Sequence, residues 1–288
     1  MVTNITDIPF LPIEVFKKNE VKTKEFDPAV IFESSGTSNS KTSRHFIKDL
    51  ELYKESFLRA FRLFYGDPSG YCIIGLLPSY LERNNSSLVF MVQELINQSR
   101  HPLSGFYLDE HDKLYHTLVH NEIAHKKTLL IGVTFALLDF SMKYKMNLTN
   151  TIIMETGGMK GKLPELTRNE VHNTLKDKLG VQHVHSEYGM TELLSQAYSR
   201  KDGIFKCPPW MQVLIREEDD PLMVQTSPLI KKQITGVMNI IDLANIYSCS
   251  FIATDDIGSL HHDGTFEVLG RTDASDLRGC SLLTMQSS

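Results

Sequence analysis

Four short motifs in the sequence contain the kinds of side chain that bind phosphate groups, ribose hydroxyls and divalent cations. In chain order they are Phe32-Glu-Ser-Ser-Gly-Thr-Ser-Asn-Ser-Lys41, His185-Ser-Glu-Tyr-Gly-Met-Thr-Glu192, Ala253-Thr-Asp-Asp-Ile-Gly258 and Gly270-Arg-Thr-Asp273. In the first motif, glycine lets a polyphosphate approach the backbone, the hydroxyl groups can donate hydrogen bonds to it, and Lys41 adds a positive charge. The motif lacks the spacing of a Walker loop, and its composition alone fits an ordinary solvated loop better than a phosphate site.

The other three motifs add a base-stacking group, a metal ligand and ribose ligands. In the second, which follows a predicted strand and opens a predicted helix, the aromatic ring can stack on a base, Thr191 can reach a phosphate, and Glu192 can hold magnesium. In the third and fourth, Asp256 can accept hydrogen bonds from ribose, and Arg271 can bind ribose or phosphate oxygens. Each motif also fits an ordinary turn, so that interpretation remains open for each one taken singly.

An alternation of strands and helices must position these motifs. Short apolar runs predict strands at residues 70–77, 128–133, 151–154 and 181–185. Apolar residues at helical intervals predict helices at 46–65, 87–98 and 135–145, and a capping box at 167–170 predicts another that ends near Gly180. Beyond residue 198, β-prone segments at 211–215, 236–243, 250–254 and 265–269 are separated by proline, glycine and aspartate. The sequence therefore predicts an α/β fold, in which parallel-sheet layers with crossover helices precede a β-rich C-terminal subdomain, with a boundary near residue 200.

Composition and charge exclude several classes of function. The 30 Lys and Arg residues against 35 Asp and Glu residues give a net charge of −5, which provides no broad basic surface for nucleic acid. The 4 cysteines include no Cys-x-x-Cys pair, so neither a zinc site nor a disulfide framework is indicated, and reduced thiols fit a cytoplasmic protein. No segment fits a signal peptide or a membrane span. His116 and His120 have the i, i+4 spacing of metal ligands, but without a His-Glu-x-x-His pattern a polar helix face is favoured.

The order of the four motifs resembles that of the core motifs of the adenylate-forming superfamily, which includes acyl-CoA synthetases, peptide-synthetase adenylation domains and luciferases. Four further stretches resemble one branch of it, the acyl-protein synthetases (LuxE-type) of bacterial luminescence. They are Pro9-Phe-Leu-Pro12, Leu77-Pro-Ser-Tyr-Leu-Glu82, Met154-Glu-Thr-Gly-Gly-Met-Lys-Gly-Lys162 and Asp276-Leu-Arg-Gly-Cys-Ser-Leu282. The resemblance covers nearly the whole chain from Pro9 onward. It implies the fold of the large N-terminal domain of adenylate-forming enzymes.

The resemblance also implies a role for each matching residue. The phosphates of ATP would lie in a cradle formed by Ser34, Ser35, Gly36, Thr37, Ser38 and Lys41. In the second motif, Tyr188 would lie against adenine with Gly189 beside it, Thr191 would contact the α-phosphate, and Glu192 would bind magnesium. Asp256 would bind ribose, and Arg271 would bind ribose or phosphate. The glycine pair Gly157 and Gly158 would line the acyl and nucleotide pocket. Residues 1–200 would then be the nucleotide- and acyl-binding region, and residues 201–288 would complete the site.

The activity implied is that of an AMP-forming ligase, which uses ATP and Mg²⁺ to activate a carboxylic acid, expected to be a fatty acid, as an acyl-adenylate. The acyl group would then pass to a thiol. Cys280 matches the cysteine at which this family is thought to carry its acyl group, although a merely buried or terminal cysteine fits equally well. Lys41 and Glu192 would be the other catalytic residues, and the protein partner would be an acyl reductase or acyltransferase.

Two alternatives remain open, and the sequence departs from the superfamily in three ways, one of which is Asp255 where many relatives have glycine. The alternatives are an acyl- or aryl-CoA ligase of the phenylacetate type, and a nucleotide- or acyl-binding subunit without turnover. Larger members of the superfamily continue past the fourth motif into a domain with a lysine that assists adenylation, and this lysine has no counterpart after Asp273. The abrupt start leads us to expect that an N-terminal helical segment of the family is missing.

Overall fold

The computed structural model describes residues 3–34, 42–77, 85–108, 110–157, 166–227 and 232–272 of the chain. Its helices are α1 (Val15–Lys18), α2 (Leu50–Tyr65), α3 (Ser87–Ser99), α4 (His111–Ile123), α5 (Thr134–Lys143) and α6 (Arg168–Leu179). Its strands are β1 (Leu11–Pro12), β2 (Val30–Glu33), β3 (Arg44–Ile47), β4 (Cys72–Leu76), β5 (Gly105–Phe106), β6 (Thr128–Val133), β7 (Thr151–Thr156), β8 (Val184–Tyr188), β9 (Ala197–Ser199), β10 (Phe205–Lys206), β11 (Met211–Arg216), β12 (Val224–Gln225), β13 (Gln233–Asp242), β14 (Phe251–His261) and β15 (Phe266–Arg271). None of the described helices combines the length and the apolar character that crossing a membrane requires.

Strands β4 to β8 form the parallel half of the main sheet, in the spatial order β8-β7-β6-β4-β5. Every residue of β4 and β6 is buried, as expected for strands that are covered on both faces. Helices α3, α4, α5 and α6 lie in the connections between these strands, one in each. Because the strands are parallel, the segments that follow β7 and β8 emerge at the same edge of the sheet.

The main sheet continues from β8 into antiparallel strands, in the order β8-β9-β10-β15-β14-β13-β11-β12, with β1 alongside β14. It contains 13 strands among the described residues, while β2 and β3 form a separate antiparallel pair. One large apolar cluster packs around the parallel half and a smaller one packs around the antiparallel half. The arrangement confirms the predicted α/β class, with its crossover helices and β-rich C-terminal half. The boundary near residue 200 stays a prediction.

Most predicted elements are present, but some of their ends differ. Strand β6 has the predicted bounds, and the predicted capping box is confirmed, because the Thr167 side chain accepts a hydrogen bond from the Glu170 backbone N–H. Gly180 ends α6 in the left-handed conformation, as expected. The start of the predicted 46–65 helix is wrong, because residues 46 and 47 belong to β3 and α2 begins after the cap residue Asp49. The strand predicted at 181–185 is shifted to Val184–Tyr188.

Two predictions about the motifs are wrong in their local structure. The second motif does not open a helix, since the chain turns after Gly189 and returns as β9, antiparallel to β8. The reason is that the backbone N–H groups of Leu194 and Ser195 donate to the buried Asp242 carboxylate, at 2.7 and 3.1 Å. The two aspartates of the third motif do not follow a strand, because they lie inside β14.

Candidate functional site

The second, third and fourth motifs meet through the side chains of Tyr188, Asp256 and Arg271. Tyr188 is the last residue of β8, and Asp256 of β14 is paired with Arg271 at the end of β15. The Tyr188 hydroxyl donates a hydrogen bond to Asp256 Oδ2 at 2.7 Å, and Arg271 Nε lies 3.5 Å from Asp256 Oδ1. Arg271 Nη2 lies 3.9 Å from Asp255 Oδ2, and the arginine side chain is half exposed. Such long, exposed ion pairs contribute little to stability, so the guanidinium group can turn towards a ligand at small cost.

Glu192 connects this cluster to the base of the hydroxyl-rich loop. Its carboxyl group is buried and hydrogen-bonded to the Ser43 side chain. Ser43 forms two hydrogen bonds with Ser34. Ser34 N donates to the Ser43 backbone carbonyl at 3.0 Å, and Ser43 N donates to Ser34 Oγ at 2.9 Å. Burial raises the pKa of Glu192, and the positive charges of Arg271 and Lys17 offset that effect in part. All four motifs are therefore linked by direct contacts or by charge.

Two glycines stand at the edge of the sheet where this cluster lies. Gly157 follows β7 with a φ of 71°, a left-handed conformation that favours glycine, and its carbonyl accepts a hydrogen bond from Thr134 Oγ1 at 3.0 Å. Gly189 follows β8, and a Cβ atom there would lie 2.6 Å from Glu187 Oε1. A side chain at position 189 would therefore displace the Glu187 carboxyl group.

The Tyr188 ring is largely covered by protein. It is 9% exposed and meets Phe205 and Phe266 edge-on, with ring centroids 6.0 and 5.7 Å apart. The Tyr188 hydroxyl donates a hydrogen bond to Asp256, and this bond holds the Asp256 carboxylate in place. Its predicted position against adenine stays a prediction.

The structure brings together some of the predicted site residues and does not describe the others. Ser34, Tyr188, Glu192, Asp256 and Arg271 belong to the connected cluster, with Thr191 beside Glu192. The predicted residues that lie outside the described ranges are Ser35, Gly36, Thr37, Ser38, Lys41, Gly158 and Cys280.

Several buried polar residues that the sequence analysis did not identify also contact the site. His45 and Asn245 bond the backbone carbonyls of the second motif, and Asp242 bonds the backbone N–H groups that follow it. Ser43 joins the loop base to Glu192. The one available signal was Asp242 inside the β-prone segment 236–243, since a carboxylate that is buried in a sheet needs several donors.

Glu187 gives the stability of the fold a pH dependence. This carboxyl group is buried in β8, it accepts a hydrogen bond from Thr156 Oγ1, and burial raises its pKa to about 7. Because the pKa in the folded state exceeds that in the unfolded state, its stabilising contribution is present below the unfolded pKa of about 4.5 and is lost as the pH rises through 7. Replacing Glu187 by glutamine should remove this loss. Urea unfolding should show the variant gaining about 3 kcal/mol on the wild-type chain between pH 4.5 and pH 8.

Glu170→Gln is the matched control for this measurement. Hydrogen bonds from Thr167 lower the pKa of Glu170, so the stability that its carboxylate contributes is present above the unfolded pKa of 4.5. The variant should therefore show no gain on the wild-type chain between pH 4.5 and pH 8. A stability difference between Glu187→Gln and the wild-type chain that does not change with pH would show that the fold does not raise the pKa of Glu187.

A family model described as acyl-protein synthetase, LuxE, matches residues 1–287 of the chain. A search of curated proteins found no match. The whole described part of the chain therefore falls within one family.

The fold is similar to that of several solved structures. ATP-bound MatB from Rhodopseudomonas palustris has a TM-score of 0.62 and 16% identity over 86% of this chain and 49% of that one. O-succinylbenzoate coenzyme A synthetase (MenE) from Bacillus subtilis, in complex with AMP, has a TM-score of 0.57 and 17% identity over 86% of this chain and 50% of that one. The long-chain-fatty-acid-CoA ligase FadD1 from Archaeoglobus fulgidus has a TM-score of 0.56 and 14% identity over 85% of this chain and 52% of that one. This chain spans about half the length of these structures, and identities this low establish a shared fold alone.

Proposed function

Because the chain belongs to the acyl-protein synthetase (LuxE) family, we propose that it activates a carboxylic acid as an acyl-adenylate with ATP and passes the acyl group to a thiol. The observation that carries the proposal is the contact between Tyr188 and Asp256, with Arg271 alongside and Glu192 linked through Ser43 to the loop base. These are the residues that the family resemblance assigns to one nucleotide. Their contacts support the proposal that they share it.

Activation is needed because a carboxylate is a poor electrophile. In the proposed first step, a carboxylate oxygen of the acid attacks the α-phosphorus of ATP, the bond from that phosphorus to the bridging oxygen breaks, and pyrophosphate leaves. The step requires no protein nucleophile, so the chain contributes positioning and charge. Asp256 would accept hydrogen bonds from ribose hydroxyls, and Arg271 would turn its half-exposed guanidinium towards ribose or phosphate oxygens.

Glu192 and Ser43 fit a magnesium site. A carboxylate and a hydroxyl are oxygen donors that Mg²⁺ prefers. Burial raises the pKa of Glu192 and so disfavours its ionised form, which a bound cation would stabilise. Within the described ranges, no group of three or more His, Cys, Asp or Glu side chains is arranged to hold a metal ion. Glu192 and Ser43 would hold the ion together with oxygens of the substrate phosphates, and the ion would supply positive charge that neutralises those phosphates.

The second proposed step transfers the acyl group to sulfur. A thiolate attacks the acyl carbon, the carbon–oxygen bond to the adenylate breaks, and AMP leaves. We propose Cys280 as the acceptor, because it matches the acyl-carrying cysteine in the family resemblance. The proposed substrate is a fatty acid, and the proposed partner that receives the acyl group is an acyl reductase or acyltransferase. The proposed location is the cytoplasm.

Acid-dependent exchange of labelled pyrophosphate into ATP tests the first step. We expect the chain with Mg²⁺ to catalyse exchange only when a carboxylic acid is added, and a chain-length series of fatty acids identifies the substrate. Absence of exchange with every acid, together with tight ATP binding, would contradict the proposal and favour a binding subunit.

Acyl transfer is tested with labelled acid followed by hydroxylamine. The wild-type chain should retain a hydroxylamine-labile label, Cys280→Ala should lose it, and Cys72→Ala, which removes a buried thiol of β4, should retain it. If CoA accepts the acyl group equally well from the wild-type chain and Cys280→Ala, a CoA ligase explains the site better.

A further inference from the structure

Two buried side chains form hydrogen bonds with the backbone carbonyl groups of Thr191 and Glu192. His45 lies in β3, immediately after the hydroxyl-rich loop, and Asn245 lies in the turn between β13 and β14. We propose that His45 and Asn245 are positioning residues, which fix the peptide units of Thr191 and Glu192 and thereby aim the Glu192 carboxylate at its metal ion. This inference rests on the proposed function for the identity of that ion.

The contacts are direct and sheltered from water. His45 Nδ1 lies 2.8 Å from Thr191 O, and Asn245 Nδ2 donates a hydrogen bond of 2.8 Å to Glu192 O. His45 Nε2 lies 3.0 Å from Asn245 Oδ1, so the two side chains are in contact. Both side chains are about 1% exposed, so no water can replace a bond that is removed.

The donor count makes Asn245 the more informative of the two residues. A carbonyl oxygen only accepts, so His45 Nδ1 must carry the hydrogen that Thr191 O receives. Asn245 Oδ1, which faces Nε2 at 3.0 Å, is likewise an acceptor, so a ring with a single N–H cannot donate to both oxygens. The hydrogen bond from Asn245 Nδ2 to Glu192 O does not depend on the ring tautomer, so a change at Asn245 removes a bond whose direction is fixed.

Asp242 holds the backbone segment that follows Glu192. Asp242, three positions before Asn245, accepts hydrogen bonds from Leu194 N, Ser195 N and Ser195 Oγ. The backbone is therefore held at residues 191, 192, 194 and 195 by groups from other parts of the chain. A metal ligand displaced by a fraction of an ångström loses affinity, so such support acts on metal binding before it acts on overall folding.

Asn245→Ala tests the proposal, with Asn121→Ala as its matched control. Asn121 is equally buried, and its amide also donates one hydrogen bond, of 3.0 Å to Thr128 Oγ1, but it lies on α4 away from the site. Both variants should lower the unfolding temperature. The Mg²⁺ concentration for half-maximal pyrophosphate exchange should rise about 10-fold or more in Asn245→Ala alone, as for loss of a residue that orients a metal ligand.

Two histidine variants separate positioning from general packing. Asparagine at position 45 keeps a donor near the place of Nδ1, whereas glutamine places its amide near Nε2. His45→Asn should therefore retain the wild-type Mg²⁺ dependence, and His45→Gln should show the raised Mg²⁺ requirement.

Calorimetric titration of Mg²⁺ with a non-hydrolysable ATP analogue provides the same comparison without turnover. Absence of exchange in the wild-type chain would contradict the proposed function, while the binding titration would still decide the positioning role. Equal Mg²⁺ dependence of the wild-type chain, Asn245→Ala and Asn121→Ala in that titration would overturn the inference.

Discussion

Replacing Glu192 by glutamine is expected to lower the rate of acid-dependent pyrophosphate exchange by about 10²–10³-fold, the usual cost of removing one group that stabilises charge in the transition state. Glutamine keeps the shape of the side chain and can still accept the hydrogen bond from Ser43, but it removes the negative charge that a metal ion requires. Because burial raises the pKa of Glu192, loss of the charge should leave the free energy of unfolding unchanged or slightly larger. The expected variant is therefore folded and nearly inactive.

Glu122→Gln controls for the general effect of losing a carboxylate. Glu122 accepts hydrogen bonds from Thr149, Asn150 and Thr151, at the opposite end of β7 from the site. This variant should lose stability but keep its rate of exchange per folded molecule. If Glu192→Gln retained more than about a tenth of the wild-type rate, a role as metal ligand would be contradicted.

Replacing Asp242 by alanine is expected to have the largest effect on stability, a loss of about 3–5 kcal/mol. The Asp242 side chain is fully buried and accepts hydrogen bonds from the backbone N–H groups of Leu194, Ser195 and Ala244 and from Ser195 Oγ, at 2.6 to 3.1 Å. Alanine leaves three buried N–H groups without an acceptor in a place that water does not reach. Urea unfolding at neutral pH measures the loss.

Asp49→Ala is the comparison that isolates burial. Asp49 also accepts two backbone hydrogen bonds, from Glu51 N and Leu52 N, but it is exposed at the start of α2. Water replaces those bonds, so its removal should cost only about 1 kcal/mol. Equal losses in the two variants would show that the Asp242 network is solvated.

The sequence predicts the fold well where local pattern and burial agree. Strand β6 is apolar after Thr128 and is fully buried, so both of its ends could be predicted. The capping box at Thr167 and the glycine at Gly180 fix α6 through contacts that are local in sequence. The order of the four motifs led to the right fold and to residues that lie together.

Prediction failed where long-range contacts decide the local structure. Residues 46 and 47 carry an apolar pattern that suits a helix, but pairing with β2 makes them a strand. The segment after Gly189 suits a helix start, but Asp242, far along the sequence, takes its N–H groups. His45 and Asn245 belong to no motif, and nothing in their local sequence shows that they meet at the second motif.

The central claim is that the four motifs share one nucleotide, and calorimetric binding of ATP and 2′,3′-dideoxy-ATP tests it most directly. Asp256 is assigned to the ribose hydroxyls, so the wild-type chain should bind ATP about 10-fold or more tightly than the dideoxy compound. This is the difference in affinity expected when one or two hydrogen bonds to a charged group are lost. Asp256→Asn should bind the two with nearly equal affinity. A preference for ATP that persists undiminished in Asp256→Asn, or a wild-type chain that does not distinguish the two nucleotides, would contradict the account.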